Sequence, residues 1–174
     1  MEENKISIRQ YILNFGLLLG IVTTVFSLML FFLDMHYQNS PFELIVFLLI
    51  LSASVVIAFI AFKKDNGGFL NLSECFKIGL GISLISSIIM FLYTLIEINF
   101  LDPETITKGL NFVEETMKMN NPELSQENID IIIERLKNMS SPRTIFISTI
   151  AIHLFFGFII SLIGGLIVKK SRPE

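Results

Sequence analysis

The sequence predicts an all-α integral membrane protein, a four-helix bundle with an extracytoplasmic helical hairpin between its third and fourth spans. Three observations favour this class. Apolar residues make up 52% of the 174 residues and charged residues only 17%, with a mean hydropathy of +0.69, whereas average soluble domains carry about 25% charged residues. Four windows without Asp, Glu, Lys or Arg hold half of the chain. A single polar segment, residues 97–143, separates the last two windows.

Each window is long enough to cross a bilayer as a helix. The windows hold 19 to 25 residues and cover residues 10–33, 44–62, 78–96 and 144–168. At about 1.5 Å per residue they reach roughly 28 to 38 Å, against a hydrocarbon core of about 30 Å. The alternative is buried helices of a soluble protein, but four such windows leave too little polar surface. We therefore expect one membrane domain, residues 1–174, with four spans.

The first window predicts a retained anchor, not a cleaved signal peptide. Its apolar stretch is longer than a signal h-region of about 7 to 15 residues. The sequence that follows, Leu33-Asp34-Met35-His36, offers no small-residue cleavage site.

Proline and capping residues predict where helices begin. Proline loses no needed N–H at the first helical position, and a preceding polar side chain caps the free amides. Pro41 and Pro142 are therefore expected to start spans two and four, and Pro103 and Pro122 to start two helices that do not span. The spacing of Ser40 with Glu43, and of Asn71 with Glu74, fits capping boxes.

The polar insert, residues 97–143, predicts two amphipathic helices at about 103–119 and 122–138. Apolar residues recur there at helical spacing, namely Ile106, Leu110, Val113 and Met117, then Ile129, Ile132, Ile133 and Leu136. A hairpin this small cannot form its own core. Its stripes are expected to pack on each other and on the outer ends of the spans; the alternative is a docking surface or a lid over a cavity.

Basic residues predict the orientation. Short cytoplasmic flanks of membrane proteins are rich in Lys and Arg. Basic residues occur in the N-terminal tail, in the connector between spans two and three and in the C-terminal tail, namely Lys5, Arg9, Lys63, Lys64, Lys77, Lys169, Lys170 and Arg172. The loop from Asp34 to Glu43 has none. We expect both termini to be cytoplasmic and the insert to lie outside, with Tyr11, Tyr37 and Tyr93 near span ends.

The connector carries the most distinctive local sequence. Asp65-Asn66-Gly67-Gly68 is a turn signal, because glycine adopts positive φ at low cost. Phe69, Leu72 and Phe76 are spaced to share one helix face, which we expect at the membrane interface with Lys77 beside it.

The connector also carries a family resemblance. The run Asn66-Gly67-Gly68-Phe69-Leu70, followed by Glu74, Phe76, Lys77 and Gly79, resembles the hallmark of a bacterial family of four-span membrane proteins of unknown function. Cys75 stands where a small residue is expected. The span order, the long loop before span four and the basic C-terminus also match. The resemblance implies a bacterial inner-membrane protein and assigns no activity.

Small residues recur every four positions in three spans. They are Gly16 and Gly20 in span one, Gly79, Ser83 and Ser87 in span three, and Gly157, Ser161 and Gly165 in span four. Such stripes let helices approach closely in a membrane. They predict packing within one bundle, with a homodimer seam as the alternative.

Polar candidates inside the spans are few. His153 is the ionisable side chain deepest within a window, and ionisable groups there suggest function. With Ser83 and Ser87 it forms a candidate intramembrane polar site; the alternative is a neutral ring satisfied by one partner. Glu97, Asp34, His36 and Asp102 could frame an acidic rim at the span ends, where charge is ordinary.

These features narrow the function classes. The motifs HExxH, GxSxG, GxGxxG and the P-loop do not occur, and Cys75, the one cysteine, is best explained as a small hydrophobe. No cofactor or metal ligand set is predicted, and a net charge of −3 excludes nucleic acid. The leading expectation is a non-enzymatic protein that associates with a second copy or another membrane protein. The alternative is a small transporter or channel subunit that uses His153 and serine-rich helix faces (Ser52, Ser54, Ser83, Ser86 and Ser87).

Overall fold

Four long helices and two shorter ones make up residues 7–38 and 40–171, the part of the chain that this computed structural model describes. In chain order they are α1 (Ile8–Phe32), α2 (Pro41–Asp65), α3 (Leu72–Ile96), α4 (Thr105–Asn120), α5 (Gln126–Met139) and α6 (Pro142–Val168). A π-helical turn, Glu97–Leu101, extends α3. The predicted all-α class is confirmed. Lys5 and Arg172, two of the basic residues used for the orientation, lie outside the described residues.

The long helices α1, α2, α3 and α6 are each long and apolar enough to cross a membrane. No more than 39% of each apolar window is buried, and side chains such as Leu49, Ile57 and Phe155 are more than half exposed. Lipid tails are the solvent that such a surface requires. The chain is therefore a multi-pass membrane protein.

Helix caps set three of the starts as predicted. Ser40 accepts a hydrogen bond from the Phe42 amide at 3.2 Å, and the Glu43 carboxylate accepts one from the Ser40 amide at 3.1 Å. Asn71 and Glu74 make the same reciprocal pair at α3. Ser141 caps α6, with Pro142 at its first position.

The prediction for Pro103 and Pro122 is wrong. Helix α4 begins two residues after Pro103, and α5 begins four residues after Pro122, where the Ser125 hydroxyl accepts from the Asn128 amide. Asn121 is instead the C-cap of α4, so Pro122 falls in the turn between the helices. Four prolines were expected to begin helices. Only Pro41 and Pro142, in two of the spanning helices, do so.

Helix α3 is the central element of the bundle. It packs most extensively against α1 on one side and α6 on the other, while α2 contacts α1 and α6 and meets α3 less closely. The four spans thus form a ring in the order α1, α3, α6, α2. We call the end that holds residues 66–71 the connector end, and the end that holds α4 and α5 the insert end.

The predicted packing residues lie inside this ring. Gly16, Gly20, Gly79, Gly157, Ser161 and Gly165 are all buried. A methyl group on Gly16 would lie 2.8 Å from the Cβ of Ile85, and one on Gly165 would lie 3.0 Å from the Cβ of Cys75. These contacts join α1 to α3 and α3 to α6. The small-residue stripes are therefore covered by neighbouring helices of the same chain.

Candidate functional site

The connector motif holds the end of α6. Leu70 and Lys170 exchange two backbone hydrogen bonds of 2.9 and 2.8 Å, and the Lys63 ammonium donates to the carbonyl of Val168 at 2.6 Å. Gly67 and Gly68 have φ values of +68° and +86°, which allow the chain to turn back after α2. The motif thus ties two distant parts of the sequence together.

The other motif side chains support the same junction. The Lys170 ammonium lies 5.5 Å from the centre of the Phe69 ring, and Phe76 stacks on Phe158 of α6 at 5.2 Å. Glu74 completes the cap of α3, and Lys77 is exposed. These contacts give the family motif a structural role at the connector end.

At the insert end, a chamber of about 470 Å³ lies between the insert and the spans. Every helix contributes to its wall. Polar lining residues are Ser27, His36, Tyr37, Glu43, Thr94, Glu97, Thr105 and Ser140. Apolar lining residues include Leu30, Met90, Ile98, Ile106, Leu110, Val113, Leu136, Met139 and Ile145. The chamber is therefore amphipathic, with carboxylates on the span side and aliphatic side chains on the insert side.

Asp102, Lys108 and His36 join the insert to the loop between α1 and α2. Asp102 accepts from the Lys108 ammonium at 2.7 Å and contacts His36 Nε2 at 3.0 Å. The hydrogen bond from Lys108 is the main reason that the pKa of Asp102 lies below its usual value; burial opposes the shift, and the bonds from His36 and the Glu104 amide add to it. The same bond to Asp102 raises the pKa of Lys108.

Two further carboxylates line the chamber without such partners. Glu43 stands in the first turn of α2, and Glu97 stands in the π-helical turn, where the Asp102 amide bonds to the Glu97 carbonyl at 2.8 Å. That turn leaves Glu97 only 8% exposed. Neither carboxylate has a basic ion-pair partner within the described residues.

A second cavity of about 240 Å³ leads from the chamber toward the middle of the bundle. It shares Ser27, Leu30, Glu43 and Met90 with the chamber and ends at His153 on α6. The His153 ring lies 4.7 Å from the ring of Phe47, which also lines this cavity. The two cavities therefore share part of one wall, and the deepest ionisable residue lies in the wall of the second cavity.

Both histidines have one satisfied ring nitrogen and one unpartnered nitrogen. His153 Nδ1 contacts the Thr149 carbonyl at 2.8 Å, and its Nε2 has no hydrogen-bond partner among the described residues. In His36 the roles are reversed, since Nε2 contacts Asp102 and Nδ1 has no such partner. The His36 side chain is 4% exposed and the His153 residue 6%.

Within the described residues, no hydrogen bond joins His153 to Ser83 or Ser87, which were predicted to share a polar site with it. The Ser83 hydroxyl donates to the Gly79 carbonyl at 2.9 Å, and the Ser87 hydroxyl donates to the Leu84 carbonyl at 2.7 Å. Both serines are buried on α3, and neither lines the cavity that ends at His153. His153 is instead surrounded by residues of α1, α2 and α3 on the cavity side.

The acidic rim expected from the sequence is partly assembled. His36, Glu97 and Asp102 lie close enough for their charges to interact, whereas Asp34 faces Lys108 from the loop. Sequence reasoning treated Glu43 as a capping residue only and missed that it lines both cavities. A charged residue one turn inside an apolar helix is the signal that could have found it. Within the described residues, no group of His, Cys, Asp and Glu is arranged to hold a metal ion.

One comparison with known proteins finds a match. A family model described as a protein of unknown function (DUF4199) covers residues 14–170, which is most of the chain. No curated protein and no solved structure matches.

Proposed function

Because the chain belongs to the DUF4199 family of proteins of unknown function, we propose a role from its own site: a small transporter or channel subunit. In this role a solute enters the chamber at the insert end and passes along the second cavity to His153. The single observation that supports the proposal is the lining that the two cavities share. A packed, dry bundle would have favoured a purely structural role.

The proposal reverses the order of the two functions that the sequence suggested. Association through small-residue faces was the leading expectation, but those residues are buried between helices of one chain. The transport proposal does not require catalysis, and we propose that the protein is not an enzyme. Four spans are few for a carrier, so we propose that it works as a homo-oligomer or with another membrane protein. The surface available for that contact is the outward apolar face of the spans.

We further propose that the protein resides in a bacterial inner membrane with both termini and the connector end in the cytoplasm. Lys63, Lys64, Lys169 and Lys170 lie at that end. The insert end, with its chamber, then opens to the outside. This orientation makes the chamber the point of entry.

Cysteine accessibility tests the path. In a Cys75→Ala background, Ser27→Cys places a thiol in the wall that both cavities share, whereas Val25→Cys places one on the outward face of α1 at nearly the same depth. In proteoliposomes, a small membrane-impermeant thiosulfonate should modify the first thiol at least tenfold faster, because only a water-filled cavity admits it. Equal, slow modification at both positions would contradict the proposal.

A further inference from the structure

We propose that the chamber and its extension bind an amphipathic organic amine, a small molecule with one ammonium group and an apolar body. This inference rests on the proposed function and names its substrate class. It follows from three features of the two cavities: two carboxylates without cationic partners among the described residues, two buried imidazoles that each have one unpartnered ring nitrogen, and an aliphatic wall.

The charges of the chamber favour a cation. Asp102 is already paired with His36 and Lys108, and neither Glu43 nor Glu97 has a basic ion-pair partner within the described residues. The other groups near them are the Tyr93 hydroxyl on α3 and His36 on the loop, and α1, α5 and α6 add no charged side chain to the chamber wall. Glu97 is buried and Glu43 is half-buried, and a carboxylate removed from water is unfavourable without a partner. An ammonium group would supply that partner to both.

The histidines also require a donor. His153 Nδ1 faces a carbonyl, which can only accept, so Nδ1 carries the proton and Nε2 of the neutral ring is an acceptor. In a neutral His36 ring, Nε2 likewise donates to the Asp102 carboxylate and Nδ1 is then an acceptor. Both acceptors are buried without a partner. An ammonium has three N–H donors and no acceptor, so it can donate to more than one of these acceptors.

The walls favour an organic cation over a metal ion. The chamber volume of about 470 Å³ falls within the range of roughly 300 to 1,000 Å³ typical of small-molecule pockets. Its insert side is aliphatic, and Phe26 and Phe47 line the extension. These aliphatic and aromatic side chains cannot coordinate an inorganic ion, but they bury an apolar body favourably. The faces of aromatic rings also attract ammonium groups.

An isosteric ligand series tests the inference with the unmodified full chain. The protein is placed in nanodiscs of phosphatidylcholine, and binding of phenethylamine, phenethyl alcohol and phenylacetate is measured by equilibrium dialysis against empty nanodiscs. The amine should bind at least tenfold more tightly than the alcohol, and the acid should not bind above the empty control. Equal binding of all three, or no binding of the amine, would overturn the inference.

Variants locate the binding site. Glu97→Gln, and separately Glu43→Gln, should weaken amine binding at least about tenfold, since a charge-assisted hydrogen bond is lost in each. Glutamine can still complete the cap at position 43. Glu115→Gln on the exposed face of α4 is the matched control and should bind as the parent does. Unchanged amine binding in both chamber variants would place the amine elsewhere and refute the site.

The two proposals fail in different ways. If Ser27→Cys is modified rapidly but the amine does not bind, the solute path stands and the substrate class is wrong. If the amine binds selectively but Ser27→Cys reacts as slowly as Val25→Cys, the protein binds amines and the water-filled solute path through the shared wall is wrong.

Discussion

Gly79 on α3 lies directly against the hydroxyl of Ser161 on α6, with no room for a methyl group between them. One turn further along α3, the relationship is reversed, since Ser83 lies against Gly157 of α6. On each of the two helices, a glycine therefore leaves the space that a serine side chain of the other helix occupies. This reciprocal contact explains why the two helices need small residues at four-residue spacing, and why they make the most extensive contact in the bundle.

Alanine at these glycines should destabilise the protein. Gly79→Ala and Gly157→Ala each force the facing serine and its helix to move, and overpacking of this kind costs about 1 to 3 kcal/mol. Gly164→Ala is the matched control, because its methyl group would meet Phe59 at an ordinary contact distance of 3.4 Å. Thermal unfolding in detergent, followed by size-exclusion chromatography, checks the ranking. Adding Ser161→Gly to Gly79→Ala should recover part of the loss; no recovery would mean that the clash is elsewhere.

The connector turn should be sensitive to backbone strain alone. Gly68 has a φ of +86°, and a methyl group there would touch nothing within 4 Å. Gly68→Val should therefore lower stability through strain, by roughly 1 to 2 kcal/mol. Gly68→Asn should lower it less, since asparagine tolerates positive φ better. Thermal unfolding measures both, and equal stability of the two variants would show that the turn can relax.

Acid should loosen the insert from the spans. The folded pKa of Asp102 lies below its usual 3.8, so its contribution to stability is complete above that value and is lost as pH falls through the folded pKa. Hydrogen exchange of the α4 amides, corrected for the intrinsic rate, should show protection falling below about pH 4. In Asp102→Asn the protection should be lower at neutral pH and lack this step. Glu114→Gln, on the exposed pair with Lys118, should keep it.

His153 should contribute more to the passage of solute than to the stability of the fold. Its Nε2 is buried without a partner, which costs about 1 to 3 kcal/mol, while the bond of Nδ1 to Thr149 returns about 0.5 to 1.5 kcal/mol. His153→Leu should therefore keep or raise the unfolding temperature, yet slow phenethylamine uptake into proteoliposomes. His153→Leu with lower stability and normal uptake would assign the histidine a structural role.

The proposed orientation predicts which residues are accessible from the outside of intact cells. With Cys75→Ala as background, Asn120→Cys lies at the exposed end of α4 and Ser73→Cys lies exposed at the connector end. An impermeant maleimide added to intact cells should label the first thiol and spare the second until the membrane is opened. The opposite pattern would invert the orientation while leaving the fold unchanged.

Sequence reasoning succeeded where the cause is local. Long apolar windows, Ser40 with Glu43 and Asn71 with Glu74 carry their own signals, because hydropathy and capping depend on neighbouring residues. The prediction for Pro122 was wrong because Asn121 caps the end of α4 and not the start of α5. An asparagine before a proline is compatible with either position. The local pattern did not decide between them.

The candidate site was only partly foreseen, because its parts are far apart in the chain. His36, Glu43, Glu97 and His153 come from four separate segments. Each has an ordinary local explanation as a loop, cap, span-end or core residue. Their meaning depends on the ring order of the helices, which brings α2 beside α6, and on the insert, which encloses the chamber against the spans.

The serine hydroxyls of α3 bear on how the nascent chain assembles. Ser83, Ser86 and Ser87 donate to carbonyls of their own helix, so α3 can enter the lipid with these groups already satisfied. During synthesis it precedes α6, its most extensive neighbour, by the whole insert. We expect α1, α2 and α3 to persist as a stable three-helix insertion intermediate, whose open groove closes only when α6 arrives after the insert has been translocated.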